Sequence, residues 1–397
     1  MNRILVVSSK SYEKARADGL CGKNLKEGFH CDDVFLLGYA DIEGSGLLNR
    51  GNNEYEFFYH EDKKKKNRLA KTFKRLLKPE IDYKLVALYE KHIESIIKEE
   101  GIDTLAAVYF PLETVAAVAN TKKKHTNIRT IIYEVDSSTD VEYYLSRLDK
   151  YYIDAYKRYM KKIYKYYDYV LAMNAHFKHV SDTYGKIIGK RLYKMDSPVL
   201  CFNGKLEYDN RLNRNVINFV YAGFLNSETY SPKPILDFFR LNKEKNNWRL
   251  HFYSRGNCED MLKAAAAKDE RIFVHGYVSK EELNAALREA DIFLSVSYDF
   301  KPNSIPSKVF EYFDANRAVI HFCESSNIFT EEYMNKYPRG WVVYNRSMVQ
   351  DNDKVLVFID ECLNNSLPLI DARSVFKMNT PEYSADLIKE LVNKWVF

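Results

Sequence analysis

The chain alternates short apolar runs with longer amphipathic stretches. RILVVSS (Arg3 to Ser9), DVFLLGY (Asp33 to Tyr39) and IRTIIYEV (Ile128 to Val135) are apolar over too few residues for helices and predict buried strands, with YEFFYH (Tyr55 to His60) as a further one. YKLVALYEKHIESIIKEE (Tyr83 to Glu100) has the 3.6-residue period of a helix and stops at Gly101, a C-cap signal. DTLAAVYF then meets Pro111, LETVAAVANTKKK resumes a helix, a long charged Tyr-rich helix spans Val141 to Tyr167, and YDYVLAMN (Tyr167 to Asn174) returns to the sheet. Strands and helices taking turns over short links predict a mostly parallel sheet covered by helices.

The pattern restarts at NVINFVYAGFL (Asn215 to Leu225). PKPILDFFRLNKE, CEDMLKAAAA and SKEELNAALREA read as helices between the strands WRLHFYS (Trp248 to Ser254), RIFVHGYV (Arg271 to Val278) and DIFLSVSY, and Ser279 with Glu282 three residues on forms a capping-box pattern. IPSKVFEYFDANRAVI adds a helix and a strand, and PEYSADLIKELVNKWVF is a helix to the last residue. The polar stretch 203–215 is the expected junction. The divisions predicted are residues 1–200, residues 201–378, and a terminal helix over 379–397 that packs back on the first domain.

At 397 residues, 46% apolar and 29% charged, the chain is long enough for two domains with their own cores and too apolar for disorder. Six cysteines without paired spacing, and an opening without a signal-peptide pattern, point to a reducing cytoplasm. No stretch approaches the ~18 to 20 apolar residues of a membrane span. Residues 1–200 hold 35 Lys and Arg against 28 Asp and Glu, so the first half is the basic one. Its stretches EDKKKKNRLAKTFKRLLK, TKKKH and YYIDAYKRYMKKIYKYYDYV suit an anionic membrane surface, RNA or only water. No zinc-finger spacing or Gly-rich aromatic signature supports nucleic acid.

In open parallel sheets ligands sit beyond the carboxyl ends of the strands, and two such domains can face one central cleft. Four loops at such ends carry candidate chemistry. Gly223 permits close backbone approach, with Lys233 ahead of a helix to neutralise phosphate; Arg255 ends a strand; Gly276, Tyr277 and Val278 offer main-chain groups; Ile305 and Pro306 lead to Ser307 and Lys308, where free N–H groups can receive a diphosphate. Glu311, about a turn further on, can accept hydrogen bonds from a ribose hydroxyl pair; the bland alternative is a solvated first-turn acid. In the first half, Glu134 and Asp136 share one face of a strand end, pointing both into the cleft or both into solvent. Ser9 and Lys10 end the first strand. His176 and His179 lack a third metal ligand, and His275 reads as a packing residue. Gly-x-Gly-x-x-Gly and Gly-x-Ser-x-Gly are absent.

FVYAGFL, HFYSRGN, FVHGYVSKEELNAALREADIFLSVS and IPSKVFEYFDANRAVI, in this order and spacing, resemble the nucleotide-sugar-binding domain of GT-B glycosyltransferases, most like glycosyltransferase family 4. The resemblance covers about Asn215 to Cys323. It implies two Rossmann-like domains facing a central cleft and retaining transfer of a hexose-type sugar from a nucleotide diphosphate sugar to a glycan or lipid-linked acceptor. No metal or cofactor is expected. It also implies that Glu311 holds the ribose as the second glutamate of the family's Glu-x7-Glu pair. The first position of that pair is Asn303, which hydrogen-bonds sugar hydroxyls but lacks the charge. Asp136, Glu134 and Asn303 are then the candidates at the reacting centre. Surface polysaccharide or glycoconjugate synthesis at the inner face of a membrane fits these features, and a homo-oligomer is compatible with them. The alternative is a weak or inactive sugar-binding partner of another transferase.

Overall fold

The computed structural model describes residues 2–10, 17–31, 33–60, 79–109, 111–135, 147–201, 215–297, 306–324 and 328–394. It divides into two compact units, residues 1–201 with 377–397, and residues 202–376. The 203–214 part of the expected junction lies outside the described residues.

In the first unit the elements are β1 (Ile4–Lys10), α1 (Ala17–Glu27), β2 (Val34–Ala40), β3 (Leu47–Asn49), β4 (Glu54–Phe58), α2 (Tyr83–Glu100), β5 (Thr104–Tyr109), α3 (Leu112–Lys124), β6 (Arg129–Glu134), α4 (Arg147–Ile163), β7 (Tyr169–Met173), α5 (Asn174–Ile188) and β8 (Leu192–Met195). They build an eight-stranded sheet in the order β3-β4-β2-β1-β5-β6-β7-β8, parallel apart from β3 against β4. β2 and β5 are buried at every position, because helices cover both faces; this is why their sequences are continuous apolar runs rather than alternating ones. Gly101 does cap α2, with φ +63° and its N–H on Ile97 O.

The second unit runs β9 (Ile217–Leu225), α6 (Lys233–Leu241), β10 (Trp248–Gly256), α7 (Glu259–Ala266), β11 (Ile272–Val274), α8 (Lys280–Glu289), β12 (Ile292–Val296), α9 (Lys308–Asp314), β13 (Ala318–Cys323), α10 (Ile328–Asn335), β14 (Gly340–Tyr344), α11 (Met348–Leu363) and α12 (Ala372–Val375). Its six strands are all parallel in the order β11-β10-β9-β12-β13-β14, with the order reversing between β9 and β12. That reversal is where an open α/β sheet opens a crevice at its carboxyl edge. The Ser279 hydroxyl accepts from Glu282 N at 3.1 Å, so the capping pattern marks the start of α8.

Strand parity decides which helix covers which face. Phe238 and Phe239 of α6 pack on Phe219, Trp248 and Phe322. Tyr312 of α9 lies on Phe293 at 4.3 Å and 7°, on the opposite face. The terminal α13 (Pro381–Asn393) lays Ala385, Ile388, Leu391 and Val392 into the first unit's core beside Cys21, Leu25 and Phe29 of the α1 region. Gly28 meets its first turn so closely that an added Cβ would stand 2.2 Å from Pro381 O.

Candidate functional site

The carboxyl edge of the second sheet assembles from β9 and β10 outward. These two strands stay in register to their last residues, Arg255 against Phe224 and Gly256 against Leu225. Gly256 has φ +130°, and a Cβ there would lie 1.7 Å from Leu225 O, so only glycine fits. Beyond it the Asn257 side chain accepts from Ser227 N at 2.9 Å, and Asn226 accepts from Glu228 N at 2.9 Å, which ties down the loop that carries the chain to Lys233. Gly223 sits two residues inside the end of β9.

α9 is held against this edge by its buried side. Phe310 and Phe313 pack on Phe376 and on Tyr333 or Tyr337, and the Tyr312 hydroxyl donates to Ala222 O at 3.3 Å, next to Gly223. Lys308 and Glu311, three apart, take the outward side and pair with each other at 2.7 Å with side chains 37% and 43% exposed. The pair is half in water and so contributes only tenths of a kcal/mol, about 0.3 to 0.5. Both groups are therefore free to exchange partners. Ser307 makes no side-chain cap bond to the helix. Asn303 and Ile305 fall outside the described residues.

At the β10 and β11 ends, aromatic rings form a ladder that the sequence did not announce. Phe273 stacks on His251 at 5.0 Å, His251 on His275 at 5.3 Å, and His275 on Tyr253 at 4.2 Å, while Arg255 lies 5.9 Å over the Tyr277 ring. His251 Nδ1 and His275 Nε2 are 3.0 Å apart. Burial, then the neighbouring His275 and Arg249, pull His251 down to about 4, so it is neutral at physiological pH. His275 does pack, but on the surface: it is exposed, stacked on Tyr253, rather than buried in the core. Gly276 takes φ +72° and turns the chain, leaving Tyr277 80% exposed beside Val278.

Lys233 goes elsewhere. With Asp237, Arg240, Glu324, Asn345 and Met348 it lines a groove of about 620 Å³ on the face covered by α6, so Lys233 and Lys308 approach the carboxyl edge from opposite faces. Asn345 donates to Glu324 there at 2.6 Å.

His321 of β13 is fully buried and its Nε2 lies 2.8 Å from the Ser297 hydroxyl at the end of β12. Burial brings it down from 6.5 to about 3. The unfolded chain takes up a proton below pH 6.5 and the folded chain only near 3, so stability is complete above 6.5 and is lost as pH falls toward 3. Denaturant unfolding should show a loss of up to about 1.4 kcal/mol per pH unit in that window. In His321→Asn, less stable at pH 7, this part of the slope should vanish; an unchanged slope contradicts the buried neutral imidazole.

In the first unit Glu134 points neither into a cleft nor into solvent. Its strand is covered on both faces, so the side chain is 1% exposed and accepts from the Tyr164 hydroxyl at 2.5 Å. Burial, then Glu134, keep Tyr164 well above its ordinary value and therefore protonated as the donor. Tyr109 and Tyr156 bond beside it at 2.5 Å. Asp136 lies outside the described residues, as do the side chain of Lys10 and the loop after it. Ser9 is buried, and its hydroxyl has no hydrogen-bond partner among the described residues. His176 is buried in α5, and among the described residues no three His, Cys, Asp or Glu gather as metal ligands.

Residues 217–355 match the family described as Glycosyl transferases group 1. No curated protein sequence matches the chain. Among solved structures the chain is similar to TarM, at 11% identity and a TM-score of 0.63 over 99% of both chains. It is similar to a glycosyltransferase from Rickettsia africae ESF-5, at 14% identity and 0.58 over 99% of both chains. It is also similar to the UDP-GlcNAc 2-epimerase from Methanocaldococcus jannaschii, at 10% identity and 0.57 over 99% of this chain and 100% of that one. At these identities the structures speak for the fold alone, two Rossmann-like α/β units of the GT-B kind.

Proposed function

We propose that this chain, a GT-B protein whose second unit carries a Glycosyl transferases group 1 domain, is a glycosyltransferase. Its donor is a nucleotide diphosphate sugar and its transfer is retaining. The acceptor is a glycan or a lipid-linked glycan, in surface polysaccharide or glycoconjugate synthesis, with the enzyme working at the cytoplasmic face of a membrane. The observation that carries this reading is the outward Lys308–Glu311 pair on a helix locked by Tyr312 to the edge at Ala222 and Gly223.

The residues divide the work by charge. Glu311 accepts from the ribose 2′- and 3′-hydroxyls once Lys308 turns from it to the diphosphate. Arg255 adds positive charge, Lys233 being turned into the groove on the other face, and the N–H groups at Ser307 and after Pro306 face the phosphates. The main chain from Gly276 to Val278 meets the base, with Tyr277 free to lie on it. As the glycosidic bond to phosphate breaks, charge grows on the leaving diphosphate, and fixed cations aimed there lower the barrier. Asn303 hydrogen-bonds the transferred sugar. On the acceptor side Asp136 is the candidate at the reacting hydroxyl. Glu134, buried in the first unit, positions the end of β6 through Tyr164.

Incubation with UDP- and GDP-sugars tests the reading. Nucleoside diphosphate should appear faster with extracted glycan or lipid acceptors than without them. The asparagine at position 303 favours one rival, a sugar-binding subunit without turnover. Tight donor binding with no release of nucleoside diphosphate under any acceptor decides for that rival.

A further inference from the structure

α4 presents one continuous cationic face. Ile153, Ala155, Tyr156, Met160 and Ile163 point into the core. Lys150, Arg158, Lys161 and Lys162, together with Lys165 in the turn that follows, are exposed, and Lys157 is half-buried beside them. These positions recur at helical spacing along about 22 Å. Neighbouring lysines are spoken for: Lys122 pairs with Asp168 at 3.0 Å, and Lys124 with Glu94 at 2.8 Å. The six cations of the α4 face have no acidic partner among the described residues, and from Lys150 onward only Asp154 interrupts their charge. An exposed ring, Tyr151 at 62%, stands at the end of the face.

A folded surface that gathers six cations around a single carboxylate, Asp154, keeps a strong net positive charge and pays for it in self-repulsion unless an opposite charge covers it. We propose that this face of α4 docks the enzyme on an anionic lipid bilayer, with Tyr151 at headgroup depth. The docking rests on the proposed glycosyl transfer for its purpose, since a lipid-linked acceptor is confined to such a surface, but not for its measurement. A helix packed flat on its unit with long cationic side chains and an aromatic ring outward matches the layered chemistry of an interface, phosphate outside and hydrocarbon below. A soluble polyanion would satisfy the charge alone.

The test is partition of the full chain onto vesicles of phosphatidylcholine with and without phosphatidylglycerol. Binding should require the anionic lipid and be released by 1 M salt, where screening shortens to about 3 Å. Joint replacement of Arg158, Lys161, Lys162 and Lys165 by glutamate should lower partition at least ~100-fold. Reversing Lys263 and Lys268 of the second unit should change it less than ~3-fold. Nucleoside diphosphate release from a water-soluble donor should be the same in all three proteins, so a chain without turnover still yields a partition result. Absence of binding to anionic vesicles, or binding indifferent to the α4 reversal, overturns the proposal. So does binding of soluble polyphosphate that is lost on reversal while vesicles are ignored.

Discussion

Replacing Gly256 by alanine should unfold the second unit about 10 °C below the first sign of melting in the parent protein. The added methyl would need to occupy the space of Leu225 O, 1.7 Å away, at a φ of +130° that side chains avoid. Neither atom can yield cheaply, because both belong to paired backbone: Gly256 and Leu225 are the last register partners of β10 and β9, the most extensively paired strands of the unit. Relief requires peeling the strand ends apart, and with them the Asn257–Ser227 contact and the tight loop at Asn226. A conflict of this kind costs about 4 kcal/mol or more, which for a unit of this size moves melting by roughly 8 to 16 °C. Gly276→Ala is the control. That glycine also has positive φ, +72°, but nothing lies within 4 Å of its added Cβ, so its cost is the conformational one of about 1 to 2 kcal/mol. Calorimetry of the two variants should separate them clearly; a Gly256→Ala protein melting within 2 °C of the parent contradicts the packing described at the sheet edge.

Glu311→Ala should weaken binding of the matching nucleoside diphosphate by roughly 30- to 150-fold and leave the melting temperature nearly unchanged. The stability part follows from exposure: the side chain is 43% exposed and pairs with Lys308 on the same helix, a pair worth little in water. The affinity part follows from charge. A carboxylate that accepts from two hydroxyls contributes about 2 to 3 kcal/mol, after the loss of its bond to Lys308 is deducted. A 2′,3′-dideoxynucleoside diphosphate separates ribose recognition from general electrostatics. It should bind parent and variant alike, and Lys308→Met should weaken both nucleotides to a similar degree. Titration calorimetry over these six combinations reads the answer directly. Equal weakening of the ordinary and dideoxy nucleotides by Glu311→Ala would assign the carboxylate to something other than ribose.

The architecture was legible because parallel sheets covered on both faces need uninterrupted apolar strands. β2 and β5 show this as runs buried at every position. Helix ends with local chemistry were legible too, Gly101 and Ser279 among them. What local pattern does not contain is the partner from far along the chain. Strand parity offered Glu134 a cleft or solvent, and the structure supplies a third place, because Tyr164, 30 residues on, arrives to bond it. The ring ladder has the same origin. His251 and Phe273 become neighbours only through the β10–β11 register, and no spacing within either segment reveals it. Lys233 illustrates a limit of topology: the end of β9 leads to it, yet α6 turns it into a groove with Glu324 and Asn345 on the other face of the sheet from α9. The basic character of α4 was visible as composition, but its concentration on one face needed the helix to be placed.

The most direct test of the account is the structure of the chain with UDP or GDP bound, whichever binds more tightly. It should show the ribose 2′- and 3′-hydroxyls within about 3.2 Å of the Glu311 carboxylate, with Lys308 swung from that carboxylate to the diphosphate at Ser307. A nucleotide whose ribose lies elsewhere, with Glu311 still paired to Lys308, would contradict the assignment of this edge as the donor site.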